Sequence, residues 1–381
     1  MYLIYEKDNL GRTIFEIVFK NTGSIFAKEG VAYALSHILN TKGTLKEKEK
    51  FYSLLEERAI TFNVSTNKEF ITISTAFLNE KTSFAINKLI ELLQNPNFSQ
   101  EAFEKSIKEI EAKRENLKNN YDYIANKNLF KAIFKDTPLA VPVIGEKSDF
   151  TLDDIKNHFT TLSKEAAVFI NGGKKIDINE FLEILPSKKV KQDMFFTPKT
   201  ANIEEKRDVE QSYIYFASPF NVKKEELYLA KIATFILGAG GFGSRIMEEI
   251  RVKRGYAYSA YATNEFKKSY SILKGYLQTK LQNTEDAVNL VKNLIFDFSQ
   301  KGITQEELEN AKKFLIGSEP LRNETLSQRL LRKFNEYYFN LGEGYYQKEL
   351  ELIKNTTLEQ INEFIKNHQE INNLSFSIVT K

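Results

Sequence analysis

The sequence GVAYALSHILNTKGT, residues 30–44, is the segment from which the rest of the chain can be interpreted. We expect it to form a helix that places Tyr33 and His37 one turn apart on the same face. A single histidine on a helix is more often a structural residue than a metal ligand. His37 alone therefore does not define a functional site, and its interpretation depends on the neighbouring positions.

The spacing of Tyr33, Ser36 and His37 matches the motif His-x-x-Glu-His. On a helix, that motif puts two imidazoles on one face to hold zinc, with a glutamate beside them to activate the metal-bound water. Here Tyr33 stands in place of the first ligand and Ser36 in place of the base. Because a catalytic zinc usually needs three protein ligands, we expect this chain to hold no metal and, alone, to cleave no peptide bond.

The composition argues against several classes of protein. The 54 lysine and arginine residues against 51 aspartate and glutamate residues give a net charge of +3, whereas nucleic-acid and membrane-surface proteins need a concentrated basic face. The absence of cysteine excludes disulfides and thiolate metal sites. No run approaches the roughly 18 apolar residues of a membrane span, and the first residues, MYLIYEKDNLG, have no signal-peptide core. We expect a cytoplasmic protein, with a periplasmic location still open.

The first half of the chain alternates strand and helix patterns. Two β-rich runs, Tyr2–Tyr5 and Thr13–Phe19, are separated by a turn signal and predict a hairpin. Further strands are predicted at Ile60–Ser65 and Phe70–Phe77, and a charged helix from about Gln100 to Asn119. This mixture indicates an α+β domain.

The second half of the chain repeats this order. Three short patterns recur at offsets of about 200 residues: Ser99-Gln-Glu and Thr304-Gln-Glu, Thr151-Leu-Asp-Asp and Thr357-Leu-Glu-Gln, and Ala85-Ile-Asn and Ala287-Val-Asn. Such a duplication predicts two homologous α+β domains. We place these domains at residues 1–186 and 208–381, with residues 187–207 as an exposed linker.

Segment by segment, the chain resembles the pitrilysin, insulinase and mitochondrial-processing-peptidase family, the inverzincin zinc peptidases whose motif is His-x-x-Glu-His. The matching segments are Gly23-Ser24, Gly43-Thr44, Ile60–Thr66 and Pro138–Gly145. The resemblance covers nearly the whole chain, although one extra residue separates His37 from Gly43-Thr44. It implies two domains, each with a mainly antiparallel sheet flanked by helices, that form half of a clamshell-shaped peptidase.

The resemblance also implies roles for residues of the first domain. In the family a downstream glutamate completes the zinc site, and Glu109 is the best match for it; the alternative is one more glutamate on a charged helix. With Tyr33, Ser36 and His37, Glu109 would mark a degenerate zinc site. The family binds peptides along an exposed sheet edge, which the resemblance places at Phe62, Asn63, Val64 and Ser65.

In the second domain, the segment SRIMEEIRVKRGYAYSAYA (residues 244–262) resembles the family's arginine and tyrosine pair. Arg251 and Tyr258 have the same seven-residue spacing as the pair that binds the substrate carbonyl and the transition state. An arginine and a phenol offer strong hydrogen-bond donors to an oxyanion that develops opposite a metal. The alternative makes Arg251 a solvated helix residue and Tyr258 a core aromatic.

A glycine-rich segment precedes this pair. Gly238, Gly240 and Gly243 match the Gly-x-Gly-x-x-Gly pattern of dinucleotide sites. In those sites the pattern follows a strand, whereas here a helix is predicted before it. A flexible glycine loop is therefore the better interpretation.

The resemblance leaves two functions to distinguish. In the first, the chain is the non-catalytic subunit of a heterodimeric zinc peptidase. A homologous subunit with an intact His-x-x-Glu-His carries the zinc. This chain closes the chamber and supplies Arg251 and Tyr258 for the hydrolysis of peptide substrates. In the second, it is an inactive pseudopeptidase that acts as a scaffold or peptide-binding module. Retention of the pair favours the first. Neither a cofactor in this chain nor a nucleic acid or membrane partner is expected, and homodimerisation of the isolated chain stays open.

Overall fold

The computed structural model describes residues 2–381, and it consists of two five-stranded sheets flanked by helices. The strands are β1 (Tyr2–Glu6), β2 (Arg12–Lys20), β3 (Thr61–Thr66), β4 (Phe70–Leu78), β5 (Ala167–Gly172), β6 (Ile203–Lys206), β7 (Gln211–Pro219), β8 (Ala257–Phe266), β9 (Ser271–Lys280) and β10 (Ser375–Thr380). The α-helices are α1 (Val31–Thr41), α2 (Lys50–Glu56), α3 (Thr82–Gln94), α4 (Gln100–Leu117), α5 (Tyr121–Ile133), α6 (Leu152–Phe159), α7 (Asn179–Ile184), α8 (Leu227–Thr234), α9 (Arg245–Met247), α10 (Thr284–Lys301), α11 (Gln305–Gly317), α12 (Leu326–Tyr338), α13 (Tyr345–Asn355) and α14 (Leu358–Asn367).

The two sheets have the same topology. Their strand orders are β1-β5-β2-β4-β3 and β6-β10-β7-β9-β8. In each sheet only the first pair is parallel, and the other three pairs are antiparallel. The predicted α+β fold with two similar, mainly antiparallel sheets is therefore confirmed. No helix within residues 2–381 is long and apolar enough to cross a membrane.

The predicted hairpin between the first two strands is wrong. β1 pairs in parallel with β5, with Leu3 opposite Phe169, and β5 lies between β1 and β2. All six residues of β5 are buried, as is typical of an interior strand with neighbours on both sides. The turn signal between β1 and β2 was correctly located, but it connects two strands that do not pair.

Contacts divide the chain into two compact units. Unit 1 comprises the residues up to Asn116 together with Val141–Asp193 and Arg322–Tyr338, and unit 2 comprises Leu117–Ala140, Met194–Leu321 and Phe339–Lys381. Each unit thus contains a helix from the other half of the sequence. Helix α12 contacts β1 and β5 in unit 1, and helix α5 contacts β7 and β10 in unit 2.

This exchange of helices was not predicted. The division of the sequence into two domains with a linker at residues 187–207 stays a prediction. The last residues of that segment are not an exposed linker, because they form strand β6, which pairs with β10. Periodicity shows where a helix lies but not which sheet covers its apolar face. From the sequence, α5 and α12 would each be expected to pack on the sheet of its own half of the chain.

In unit 1, one face of the sheet carries the main core. Phe15, Phe169 and Phe181 pack with ring centroids 5.2–6.2 Å apart, and all three are fully buried. Helix α1 buries Leu35, Ile38 and Leu39 completely. This helix packs along β3, which positions the segment identified in the sequence.

The opposite face of the same sheet is covered by α12. Leu330 is 3% exposed and packs so closely on β5 that a Cβ added at Gly172 would lie 2.7 Å from its Cδ1. The next residue, Leu331, is 57% exposed. These adjacent leucines therefore form a matched pair for testing where α12 belongs.

We expect Leu330→Ala to lower the free energy of unfolding by about 2–5 kcal/mol, because it leaves a cavity between α12 and the sheet. Leu331→Ala should change it by less than about 0.5 kcal/mol. Chemical denaturation of the two variants provides the measurement. Equal effects would show that α12 does not cover this sheet.

Candidate functional site

Helix α1 presents the three positions of the degenerate motif to different surroundings. The rings of Tyr33 and His37 are stacked, with centroids 6.4 Å apart and planes 15° apart. The ammonium group of Lys113, from α4, lies 5.4 Å from the centre of the Tyr33 ring. Tyr33 thus fills the place of a ligand with an aromatic ring that stacks on the remaining histidine.

Ser36 is used to join α1 to strand β3. Its side chain is buried, and its hydroxyl forms a hydrogen bond with the hydroxyl of Thr66. The Thr66 hydroxyl also donates to the carbonyl oxygen of Ala32, at 3.0 Å. The position that the motif reserves for a general base is therefore part of a structural contact between helix and strand.

Glu109 lies beside His37, as the resemblance implied. The Nε2 of His37 donates to Oε2 of Glu109 at 2.7 Å. The ammonium group of Lys42 donates to both carboxylate oxygens of Glu109, each at 2.7 Å. The Lys42 side chain is only 4% exposed, so this cation is held inside the protein against one carboxylate.

Burial and these contacts together shift two pKa values. Burial lowers the pKa of His37, although the hydrogen bond and charge of Glu109 oppose this change. Burial acts to raise the pKa of Glu109, but the hydrogen bonds from Lys42 and His37 outweigh it and the pKa is lowered. Near neutral pH the arrangement is therefore a neutral imidazole and an ionised carboxylate, with the Lys42 ammonium as counter-ion.

The backbone holds Lys42 in place from both sides. Its N–H donates to the carbonyl oxygen of Ile38 at 2.9 Å, and its own carbonyl accepts from the side-chain amide of Asn97 at 3.1 Å. Gly43, which follows, has a φ of 62°, and a Cβ there would lie 2.1 Å from the carbonyl oxygen of Lys48. Only glycine fits this turn, which directs Lys42 back toward α4.

A zinc ion does not fit this site. Among residues 2–381, no group of three or more His, Cys, Asp or Glu side chains could hold a metal. His37 and Glu109 are already bonded to each other, and both oxygens of Glu109 face the Lys42 ammonium. The site lacks the three protein ligands that a catalytic zinc usually has, and the Lys42 ammonium already compensates the charge of Glu109.

The predicted peptide-binding residues lie on β3, which is an edge strand of its sheet. Val64 is buried and Phe62 packs against Phe51 and Tyr52, whereas Asn63 and Ser65 are exposed. The N–H of Val64 donates to the side-chain oxygen of Asn40, at 2.8 Å.

The hydrogen bond between Val64 and Asn40 leaves fewer backbone groups of β3 free to pair with a peptide. In an antiparallel strand, the backbone groups of alternate residues face away from the neighbouring strand. The N–H of Val64 is one of these outward groups, and Asn40 on α1 already occupies it. A peptide that adds to β3 must therefore displace the Asn40 side chain or leave this donor out of its ladder.

In unit 2, the structure brings Arg251 and Tyr258 together. The guanidinium carbon of Arg251 lies 4.5 Å from the ring centre of Tyr258 and 4.6 Å from that of Phe242. Tyr258 is 83% exposed and Phe242 is 66% exposed. The interpretation of Tyr258 as a core aromatic is therefore wrong, and Arg251 is sandwiched between two exposed rings.

Two local irregularities create this arrangement. Arg251 lies in a π-helical turn, Glu248–Val252, and such turns are frequent at functional sites. Tyr258 lies at a bulge of β8, where the pairing with β9 shifts between Ala257 and Ala260. Gly238 lets the glycine loop approach β8, because a Cβ there would lie 2.4 Å from the backbone nitrogen of Ala262.

Phe242 is the residue of this cluster that sequence reasoning missed. It lies inside the glycine loop, in a short 3₁₀ turn, and its ring centre is 4.6 Å from the guanidinium carbon of Arg251. Phe242 is the one aromatic residue of the segment 238–243, and this was the signal available in the sequence. We name Phe242, Arg251 and Tyr258 the arginine sandwich.

Three arginines of this segment have different partners. Arg245 forms two hydrogen bonds with the Glu307 carboxylate, at 2.6 and 2.7 Å, and Arg254 pairs with Glu249. Within residues 2–381, the guanidinium group of Arg251 has neither an ion pair nor a hydrogen bond. Its donors are therefore available to a ligand.

The other two histidines have packing roles. His158 is buried and its Nε2 donates to the carbonyl oxygen of Thr22 at 2.8 Å, and burial lowers its pKa to about 4. His368 is also buried and contacts Glu370 through Nδ1 at 2.8 Å.

Two family models match this chain. The model described as Insulinase (Peptidase family M16) matches residues 8–147, and the model described as Peptidase M16 inactive domain matches residues 127–315. The first match contains the site around His37 and Glu109, and the second contains the arginine sandwich.

Several known proteins are similar over nearly the whole chain. A Helicobacter pylori protein named Non-peptidase homolog YmxG is 40% identical over 395 residues, which cover 99% of this chain and 91% of the relative. The Uncharacterized zinc protease YmxG of Bacillus subtilis is 21% identical, covering 100% of this chain and 93% of the relative.

Solved structures have the same fold. The peptidase M16 inactive domain from Pseudomonas fluorescens superposes with a TM-score of 0.87 at 20% identity, covering 99% of this chain and 94% of that one. A protease from Helicobacter pylori also has a TM-score of 0.87, at 15% identity, with coverage of 100% and 96%.

From the site around Glu109 we expect the purified chain to contain no stoichiometric zinc and to keep its thermal midpoint in the presence of a strong chelator. Elemental analysis and thermal unfolding with and without EDTA test this. About one zinc per chain that is lost in His37→Ala would contradict the assignment. Addition of the chelator to a zinc-dependent homologue serves as the positive control.

Proposed function

Because this chain belongs to the insulinase family, peptidase family M16, we propose that it is a non-catalytic subunit of a heterodimeric zinc peptidase. In this proposal a homologous subunit with an intact His-x-x-Glu-His binds the zinc and activates the water. This chain closes the proteolytic chamber around a peptide substrate and contributes Arg251 and Tyr258. The supporting observation is the arginine sandwich, whose hydrogen-bond donors have no partner within residues 2–381.

The site around His37 supports a chain that does not carry the chemistry itself. Ser36, at the position of the base, is buried against β3 and cannot activate water. Glu109 is neutralised by Lys42. The names of two similar proteins, a non-peptidase homologue and an inactive domain, agree with this part of the proposal.

The arginine sandwich supports a catalytic contribution to another chain. The contacts of the two rings with the guanidinium are favourable cation–π interactions, and clustered exposed apolar side chains often mark binding sites. The guanidinium carbon lies 4.5 Å and 4.6 Å from the two ring centres, and its N–H groups have no hydrogen-bond partner within residues 2–381. A positioned arginine and phenol can donate to a peptide carbonyl oxygen as negative charge develops on it.

Strand β3 has a secondary place in this proposal. An extended peptide would add to the edge at Phe62, Asn63, Val64 and Ser65, where backbone hydrogen bonds provide affinity with little dependence on sequence. The Asn40 side chain competes for the central donor, the N–H of Val64. We therefore assign β3 a weak peptide-binding role.

The alternative function is a scaffold or peptide-binding module without catalysis. The closed site at Glu109 and the occupied donor on β3 are both compatible with it. A scaffold does not, however, explain why an arginine without a polar partner is held between two exposed rings. The two functions make different predictions for a mixture of subunits.

When this chain is mixed with a homologous subunit that has the intact motif, we expect peptidase activity that neither chain has alone. Arg251→Ala and Tyr258→Phe should each lower turnover by roughly a hundredfold to a thousandfold, since each removes a donor to the oxyanion. Cleavage of a fluorogenic peptide provides the measurement, and size-exclusion chromatography confirms assembly.

Arg254→Ala is the matched control, because Arg254 lies in the same segment but pairs with Glu249. It should leave turnover within a few fold of the unmodified complex. If the complex assembles and Arg251→Ala cleaves as fast as Arg254→Ala, the catalytic role of the sandwich is wrong. The scaffold function would then be the remaining one.

The role of β3 is tested by Asn40→Ala, which releases the N–H of Val64. If an extended peptide pairs with β3, we expect its dissociation constant to fall about fivefold, the effect of one net hydrogen bond. Fluorescence anisotropy with a labelled unstructured peptide measures this. Asn63→Ala, whose exposed side chain leaves that donor unchanged, should have no effect, and equal affinities of the two variants would exclude β3 as the binding edge.

A further inference from the structure

The site around Glu109 differs from a zinc site in its charges as well as in the absence of two metal ligands. In a zinc site the carboxylate would face a divalent cation, whereas here it faces the ammonium group of Lys42 at 2.7 Å from both oxygens. A buried lysine is costly unless an opposite charge compensates it. Lys42, 4% exposed, has this compensation from Glu109 alone among the ion pairs of the structure within residues 2–381.

We propose that the Lys42 ammonium is an internal cation that has replaced the metal ion, so that zinc is excluded from this site by charge as well as by missing ligands. Glu109 is then a structural counter-ion that keeps Lys42 buried. This proposal concerns unit 1 only and does not depend on the proposed role of the arginine sandwich.

The backbone places Lys42 for this contact. The extra residue found between His37 and Gly43-Thr44 lies in the segment that ends helix α1 and contains Lys42. The Tyr52 hydroxyl donates to the carbonyl oxygen of Leu39 at 2.7 Å and accepts from the N–H of Gly43 at 3.1 Å, which fixes the path of the chain around Lys42. A turn held by these hydrogen bonds therefore positions the Lys42 side chain.

Other charges near the site also disfavour a second cation. Lys113 on α4 acts on His37 together with Lys42, and both lower its pKa. Lys105 pairs with Glu49, at the start of α2, and both groups are close enough to interact with Glu109. The nearest carboxylates are therefore matched by lysines, and a zinc ion would meet no uncompensated negative charge.

The first test compares two variants of the full chain. Tyr33→His with Ser36→Glu restores the ligand set around His37 and Glu109, and adding Lys42→Met then removes the internal cation at similar side-chain volume. We expect the triple variant to bind zinc at least about 100-fold more tightly than the double variant, because a unit charge within hydrogen-bond distance is removed. Competition with a chromophoric zinc chelator measures both dissociation constants.

Lys113→Met in place of Lys42→Met is the matched control. Lys113 is exposed and contacts the Tyr33 ring rather than Glu109, so its removal should change zinc affinity by less than about tenfold. Equal zinc affinity of the double variant and the Lys42→Met triple variant, at whatever level, overturns the proposal. Circular dichroism verifies that each variant is folded.

A second measurement is independent of engineered ligands. In the otherwise unchanged chain, Lys42→Met and Glu109→Gln should each lower the thermal midpoint by several degrees, and the combined variant should lose much less than the sum of the two. Lys48→Met, which removes an exposed lysine 3.5 Å from Glu101, should have no measurable effect. Additive losses for Lys42→Met and Glu109→Gln would show that the two groups are not a coupled pair and would overturn the proposal.

Discussion

The ion pair between Lys42 and Glu109 decides what the helix of residues 31–41 can do. The charge of the Glu109 carboxylate is compensated by the buried Lys42 ammonium, and a metal that displaced this ammonium would leave a buried cation without its partner. The features around it are consistent with this state. Tyr33 stacks on His37, and Ser36 bonds to Thr66, so each former position of the motif has become a packing contact.

The two units share a topology but differ in how their candidate site residues are paired. Their sheets have the same strand order. In unit 1, His37 and Glu109 are hydrogen-bonded to each other, whereas in unit 2 Arg251 has no polar side-chain partner among the described residues. Arg245, in the same segment, forms an ion pair with Glu307, whereas Arg251 forms none among the described residues. This contrast is the reason that we place the proposed binding surface in unit 2.

Much of the fold could be predicted from the sequence because it depends on local patterns. The strands at Ile60–Ser65 and Phe70–Phe77 differ by one residue from β3 and β4, and the internal duplication became two sheets with one topology. Strand pairing and helix exchange could not be predicted, since hydrophobic periodicity does not specify which sheet a strand or helix joins. The predicted hairpin failed for this reason.

The candidate site could be predicted only in part. The spacing of the motif located Tyr33, Ser36 and His37, and the family resemblance located Glu109 and Arg251. Lys42 and Phe242 were missed because their importance lies in one side-chain contact each, and sequence spacing alone does not show such contacts. The extra residue before Gly43 was the one sign that the segment around Lys42 had changed.

The most direct test of the central claim is a crystal structure of the unmodified chain grown with excess zinc, with diffraction data collected at the zinc absorption edge. We predict no anomalous peak between His37 and Glu109, and electron density that places the Lys42 ammonium within hydrogen-bond distance of both Glu109 oxygens. An anomalous peak coordinated by His37 and Glu109, with the Lys42 side chain displaced, would contradict it.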